Sequence, residues 1–276
     1  MNPIRFNDRM VTNDDLIITN KIVRPKCVAP QGRLFQVLGE QDGRRVVREI
    51  AHNTVVVGGA VTALQNLTGA TATWNPSSLN DIYNVSATSS KVPTLALFGI
   101  GTGGANLDFG SVIAPDIKQR DVMSPIPMRY GSVLTGDDSS KYFMKVENAE
   151  TGTYSWYLKQ FANQPVIKSC WKNAVSTEED GTEILADIHT SQNAEGIETF
   201  TEIEIEMNTL DGREYYEATG ALTTARFNTI GFYTGALNDA GTEYANVRLY
   251  SVITFNNRDI SLASKSSFLY RLYALI

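Results

Sequence analysis

From about Ile184 to Ile276 the chain reads as strand after strand, and its final run, Ser267 to Ile276, limits what the rest can build. In one register Phe268, Tyr270, Leu272, Ala274 and Ile276 share a face; in the other, Leu269, Arg271, Tyr273 and Leu275 share the reverse. Both faces are largely apolar, which suits a strand covered on two sides. No polar tail follows, so this strand is expected to close a sheet or dock on a partner subunit. Further back, Thr201 to Met207 alternates strictly. Ile203, Ile205 and Met207 are expected to point inward, with Glu202, Glu204 and Glu206 forming a solvated outer face that resists edge aggregation.

Other strands are expected at Leu16–Val23, Leu34–Leu38, Thr94–Phe98, Tyr142–Val146, Tyr154–Leu158, Pro165–Trp171, Asn228–Thr234 and Val247–Phe255. Gln41, Asp42 and Gly43 supply hairpin chemistry after the second of these. One helix is expected where Val57, Val61, Leu64 and Thr68 recur at helical spacing, with Gly69 as its stop and Gly58 and Gly59 weakening its start. Residues 71–140 are loop-heavy yet apolar, which points to contact surfaces on a β scaffold rather than to a linker. The fold class is mainly β: a β-sandwich with a short N-terminal extended arm and one or two small helices. Residues 1–26 form the arm, 27–140 a small α+β, loop-rich region and 141–276 an antiparallel sandwich core; 27–276 can equally be one domain.

Composition narrows the partners. The 276 residues are 42% hydrophobic, 9% aromatic and 20% charged, with a net charge of −6, and no Lys/Arg cluster is denser than Arg44, Arg45 and Arg48. A nucleic-acid-gripping protein carries a basic patch, so direct sequence-specific nucleic-acid binding is not expected. Two cysteines, Cys27 and Cys170, give no disulfide framework. The start of the chain lacks a signal-type apolar core, and no apolar run reaches the ~18 residues a bilayer span needs, so a cytosol-made protein with no membrane partner is expected.

No catalytic, cofactor or metal motif stands up. The Gly99 to Gly104 loop ends in Ala105 and Asn106, where a phosphate loop needs Lys and Ser/Thr, so a tight turn between strands is expected. Glu202, Glu204 and Glu206 lie about 7 Å apart along a strand, a spacing that glycoside hydrolysis uses, but nothing nearby offers a sugar platform. His52 and His189 are the only histidines, and no cluster has metal-ligand spacing. Asp187 can pair with His189, and Glu178 with Asp180 can draw calcium, but a plain strand and an acidic turn account for both. Trp74, Trp156 and Trp171 read as core or interface residues. No catalytic, cofactor-binding or metal residue is therefore assigned, and no enzymatic activity is expected.

Four pieces, in order, resemble the small structural proteins of tailed-bacteriophage virions of the neck, collar and tail-completion type. They are the N-terminal arm, Glu49 to Gly59 leading into a short helix, Phe98 to Gly104, and the pair Asn228–Tyr233 and Leu249–Phe255 before a terminal strand. The resemblance implies a non-enzymatic subunit, present in many copies as a ring or sleeve in the virion, assembled in the host bacterial cytoplasm. Its implied partners are copies of itself and other neck, tail or portal proteins. The arm and the 71–140 loops are expected to make the intersubunit contacts. The alternative is a receptor- or glycan-binding virion adhesin, a tail-fibre or decoration module, using exposed Tyr and Trp.

Overall fold

The computed structural model describes residues 5–6, 9–10, 31–41, 44–106, 111–171, 176–177, 182–184, 197–222, 225–260 and 266–274. Two antiparallel sheets account for nearly all its strands. The seven-stranded sheet runs β11 (Val166–Trp171), β14 (Ile197–Met207), β17 (Ser266–Ala274), β3 (Gln31–Gln41), β4 (Arg44–His52), β13 (Thr182–Ile184), β12 (Ser176–Thr177). The eight-stranded sheet runs β5 (Thr54–Val55), β16 (Tyr244–Asp259), β15 (Arg226–Leu237), β6 (Thr94–Gly101), β10 (Thr153–Gln160), β8 (Arg129–Gly131). β7 (Pro125–Ile126) joins β6, and β9 (Tyr142–Asn148) joins β10. A separate two-residue pair, β1 (Arg5–Phe6) with β2 (Arg9–Met10), lies near the start.

The sheets stack because each strand presents a dry face to the other sheet. Ile203 and Ile205 of β14, Phe268 and Tyr270 of β17 and Leu34 of β3 meet Phe98, Ile100, Ile230, Phe232 and Ile253 from the facing sheet. Each such side chain contributes roughly 1.5–3 kcal/mol by leaving water. The rings of Phe232 and Tyr270 stack across the interface at 3.9 Å. The buried Tyr270 hydroxyl accepts from Asn53 Nδ2 at 2.9 Å and shares a hydrogen bond with Ser251 Oγ at 3.2 Å, so its polar end is satisfied.

A third layer covers the other face of the eight-stranded sheet, where Leu97, Leu158, Tyr233, Leu249 and Val252 form a second core. It consists of helix α1 (Val57–Thr68), the short helix α2 (Leu79–Tyr83) and their loops. β15 is consequently buried on both faces from Phe227 to Ala236.

The final strand is indeed covered on two sides, with Tyr270 and Leu269 each fully buried. It does not close a sheet or await a partner, however. β17 lies inside the sheet, bonded along one edge to β14 and along the other to β3. The hairpin at Gln41 is found, with Gln41 paired to Arg44, but Arg44–His52 is a strand, so Glu49 to His52, expected to lead into the helix, belong to the seven-stranded sheet. One or two small helices were expected and, among the described residues, three α-helices are found: beside α1 stand the short helices α2 and α3 (Arg213–Ala218), neither of which was placed in advance. Gly99 to Gly101 belong to β6, and only Thr102 to Gly104 turn. Met144 adopts a left-handed φ of 58°, so Tyr142 and Met144 enter different cores instead of sharing a face. Both sheets draw strands from before and after residue 140. Cys27, Leu16–Val23, Glu178, Asp180, Asp187 and His189 lie outside the described residues, as do the side chains of Cys170 and Trp171.

Candidate functional site

The helix-and-loop layer is the part of the surface that ordinary packing does not explain. Helix α1 starts at Val57, whose N–H bonds Ile117 O at 2.8 Å, and stops at Gly69, where φ is 67° and the N–H bonds Gln65 O at 2.8 Å. Val57, Val61, Leu64 and Thr68, whose spacing located the helix, do not form its buried face. The buried residues are instead Gly58, Gly59 and Thr62. The reason is close approach: a Cβ on Gly59 would stand 2.0 Å from Tyr250 O, and one on Gly58 3.2 Å from Leu249 O. The two glycines let the helix backbone rest directly on β16. Thr62 satisfies its own hydroxyl by donating to Gly58 O at 3.0 Å.

With the inner face made of glycine, the apolar stripe of the helix points outward. Ala60, Ala63, Leu64 and Leu67 recur at i, i+3, i+4 and i+7, and all four are exposed, Leu67 at 82%. Asn66 Nδ2 donates to Pro93 O at 2.8 Å, which draws exposed Val92 alongside. Among the described residues nine of thirteen exposed large hydrophobics fall between Leu64 and Val133, and five of them, Leu64, Leu67, Trp74, Ile82 and Val92, sit on α1, α2 and the loops beside them. Trp74 is among them at 58% exposure, whereas Trp156 is buried in the inter-sheet core.

The layer is held rigidly. Ser78 and Asp81 form a reciprocal capping box at the start of α2. Asn80 clamps β16 on both sides of its left-handed residue Asn246, donating to Tyr244 O at 2.8 Å and accepting from Val247 N at 2.9 Å. Asp121 accepts from the hydroxyls of Tyr83 at 2.6 Å and Tyr233 at 2.5 Å. Burial pushes the Asp121 carboxyl above its ordinary range in spite of those bonds, and burial beside Asp121 raises both phenols.

The residues weighed for chemistry lie apart. Gly104 N donates to Asn228 Oδ1 at 2.6 Å, and Asn228 Nδ2 donates to Thr102 O, so the glycine turn is tied to β15 and its amides face protein. His52 is exposed and bonds Glu49 at 3.0 Å. The outer face of β14 is not a uniformly solvated row: Glu202 is only 7% exposed and is enclosed by Arg271 and Lys168, while Glu204 pairs with Arg45 at 3.3 Å and accepts from Asn163. Glu202 and Glu204, two of the carboxylates that would have to share a sugar, are thus both engaged by cations, and Arg45 reaches each of them, at 4.0 and 3.3 Å.

Two buried ionic groups had no local signal. Asp211 is fully buried; Tyr142 donates to its Oδ1 at 2.6 Å, and Lys159 Nζ at 2.6 Å and Asn208 N at 2.8 Å donate to its Oδ2. Arg129 grips Glu214 through Nε and Nη2 at 2.9 and 3.0 Å and Asp138 through Nη1 at 2.6 Å. Burial opposes the Arg129 charge, but these carboxylates outweigh it and raise its pKa. Both carboxylate oxygens of Asp211 and of Glu214 are occupied, so both groups read as struts rather than as sites. Among the described residues no group of three or more His, Cys, Asp or Glu is placed to hold a metal, and no helix is long and apolar enough to cross a membrane. Comparison with protein-family models, with curated proteins and with solved structures finds no match.

Proposed function

We propose that the chain is a non-enzymatic structural subunit that assembles in multiple copies, as a ring or sleeve in the neck, collar or tail of a tailed-phage virion, with copies of itself and adjoining virion proteins as partners. The phage context rests on the resemblance in the order of sequence pieces. The assembly reading rests on one observation: α1 turns Ala60, Ala63, Leu64 and Leu67 to solvent while burying glycine. A stripe of that kind on a rigid, well-packed layer is the surface a second copy covers.

Placing the contacts there differs from placing them on the final strand, whose two edges are already bonded within the chain. Native mass spectrometry and negative-stain microscopy of the full chain test the reading. Discrete closed oligomers or rings are expected, and a strictly monomeric species at high micromolar concentration counts against it. Binding on a glycan array by such a monomer would favour the adhesin instead.

A further inference from the structure

At one end of the sandwich the two sheets part and leave a cleft of about 660 Å³. Its floor is aromatic: Phe227 packs edge-on against both Phe255 and Phe268. Its walls are polar, with Gln36 and His52 from the seven-stranded sheet and Thr254, Asn256 and Arg258 from β16.

Arg258 is the unusual member. Its Nη1 reaches across to the opposite sheet and donates to Gln36 Oε1 at 2.7 Å. No carboxylate bonds it among the described residues. The two acids close by are committed elsewhere: Asp259 to Arg226 at 3.1 Å, and Glu49 to His52 at 3.0 Å and Arg33 at 3.8 Å. Burial and the neighbouring Arg48 both lower the Arg258 pKa, and no acid offsets them. A half-buried guanidinium that faces open volume, and whose one hydrogen-bond partner among the described residues is the neutral Gln36, is a receptor for a planar or tetrahedral oxyanion.

We propose that the cleft binds a small molecule bearing an oxyanion, carboxylate or phosphate, which the Arg258 guanidinium takes beside Gln36 while any apolar body rests on Phe255 and Phe268. The proposal is independent of the assembly reading. It requires only the inter-sheet geometry, and a monomer can show it as well as a ring.

Calorimetric titration of the full chain at constant ionic strength, with inorganic phosphate in one arm and benzoate in the other, tests it. Saturable binding in either arm is expected, and which arm binds identifies the oxyanion. Arg258→Gln is expected to weaken that binding about tenfold or more, the loss of a charge-assisted pair, with Arg258→Lys in between. Arg120→Gln, which removes an exposed arginine bonded to Ser77 away from the cleft, leaves it within twofold. Melting curves establish that each variant folds, and the graded Lys variant keeps the test decisive should Gln destabilise the chain. No saturation in either arm up to tens of millimolar, or binding equal in wild type and Arg258→Gln (an adventitious ion only), overturns the proposal.

Discussion

Glu202 of β14 and Arg271 of β17 are direct cross-strand partners, and Arg271 donates to Glu202 Oε2 through Nε at 3.0 Å and Nη2 at 2.9 Å. Lys168, from the strand on the other side, donates to Oε1 at 2.5 Å. The Arg271 guanidinium also lies over the Phe200 ring at 4.3 Å. One carboxylate therefore joins three adjacent strands on the outer face of the sheet.

That arrangement predicts a pH dependence. Burial alone would raise the Glu202 carboxyl, but Lys168 and Arg271 outweigh it and hold it below the ordinary 4.5. A folded-state value below the unfolded one contributes stability that is complete above about pH 4.5 and is lost as pH falls through the folded value. Glu202→Gln is expected to cost about 3–5 kcal/mol at pH 7, as when one partner of a buried pair is removed. The gap from wild type should narrow steadily below pH 4.5. Urea denaturation of both proteins from pH 3 to 7 measures it, and a gap that stays constant would rule out the charged pair.

Gly59 is fixed by proximity rather than by dihedral. Because its missing Cβ would fall 2.0 Å from Tyr250 O, Gly59→Ala must lift α1 off β16. A loss of about 1–3 kcal/mol is expected from the overpacking, even though alanine is the better helix former. Gly39→Ala, where nothing lies within 4 Å, serves as the control and should be close to neutral. A thermal melt in which the two variants behave alike would contradict the close approach.

Lys159 neutralises Asp211 inside the sandwich, and it also donates to Glu206 O at 2.8 Å. Lys159→Met leaves a fully buried carboxylate without its cation, for an expected cost of about 3–5 kcal/mol. Asp211→Asn on that background should recover part of it, because it removes the buried charge while the one amide carbonyl can still accept from either Tyr142 or the Asn208 amide. Chemical denaturation of the single and double variants gives the coupling; additive losses would show that the pair does not act as one.

Leu64→Glu with Leu67→Glu puts two charges on the exposed stripe without touching the buried face of α1. The melting temperature should change little, since exposed helix positions tolerate such exchanges. Light scattering coupled to size exclusion should show a shift to smaller species. Unaltered assembly in the double variant would move the interface elsewhere.

What could be read in advance depended on how far apart in sequence the cause lay. The alternation of Ile203, Ile205 and Met207 and the stop at Gly69 are local, and both appear where expected. The environment of Glu202 is not local: its partners lie 34 and 69 residues away, and only strand order brings them together. The same holds for Lys159 and Asp211, 52 residues apart. For α1 the spacing of apolar residues located the helix but could not say which face would be buried. A glycine pair packs against backbone, a signal that hydrophobic periodicity does not contain. The Arg258 cleft was invisible for a related reason, since its lining comes from both sheets and Arg258 itself is unremarkable in sequence.

The placement of β17 also bears on when the molecule can form. Residues 266–274 are the last described strand to leave a ribosome, yet they fill the slot between β14 and β3, a strand from the first fifth of the chain. Until they emerge, β3 and β14 have no common neighbour, and Phe232 lacks the ring that covers it. Folding must then bridge more than two hundred residues of contour in its closing step, the kind of non-local pairing that slows β proteins and leaves nascent chains reliant on chaperones. Synthesis through residue 274 thus gates the appearance of the native state.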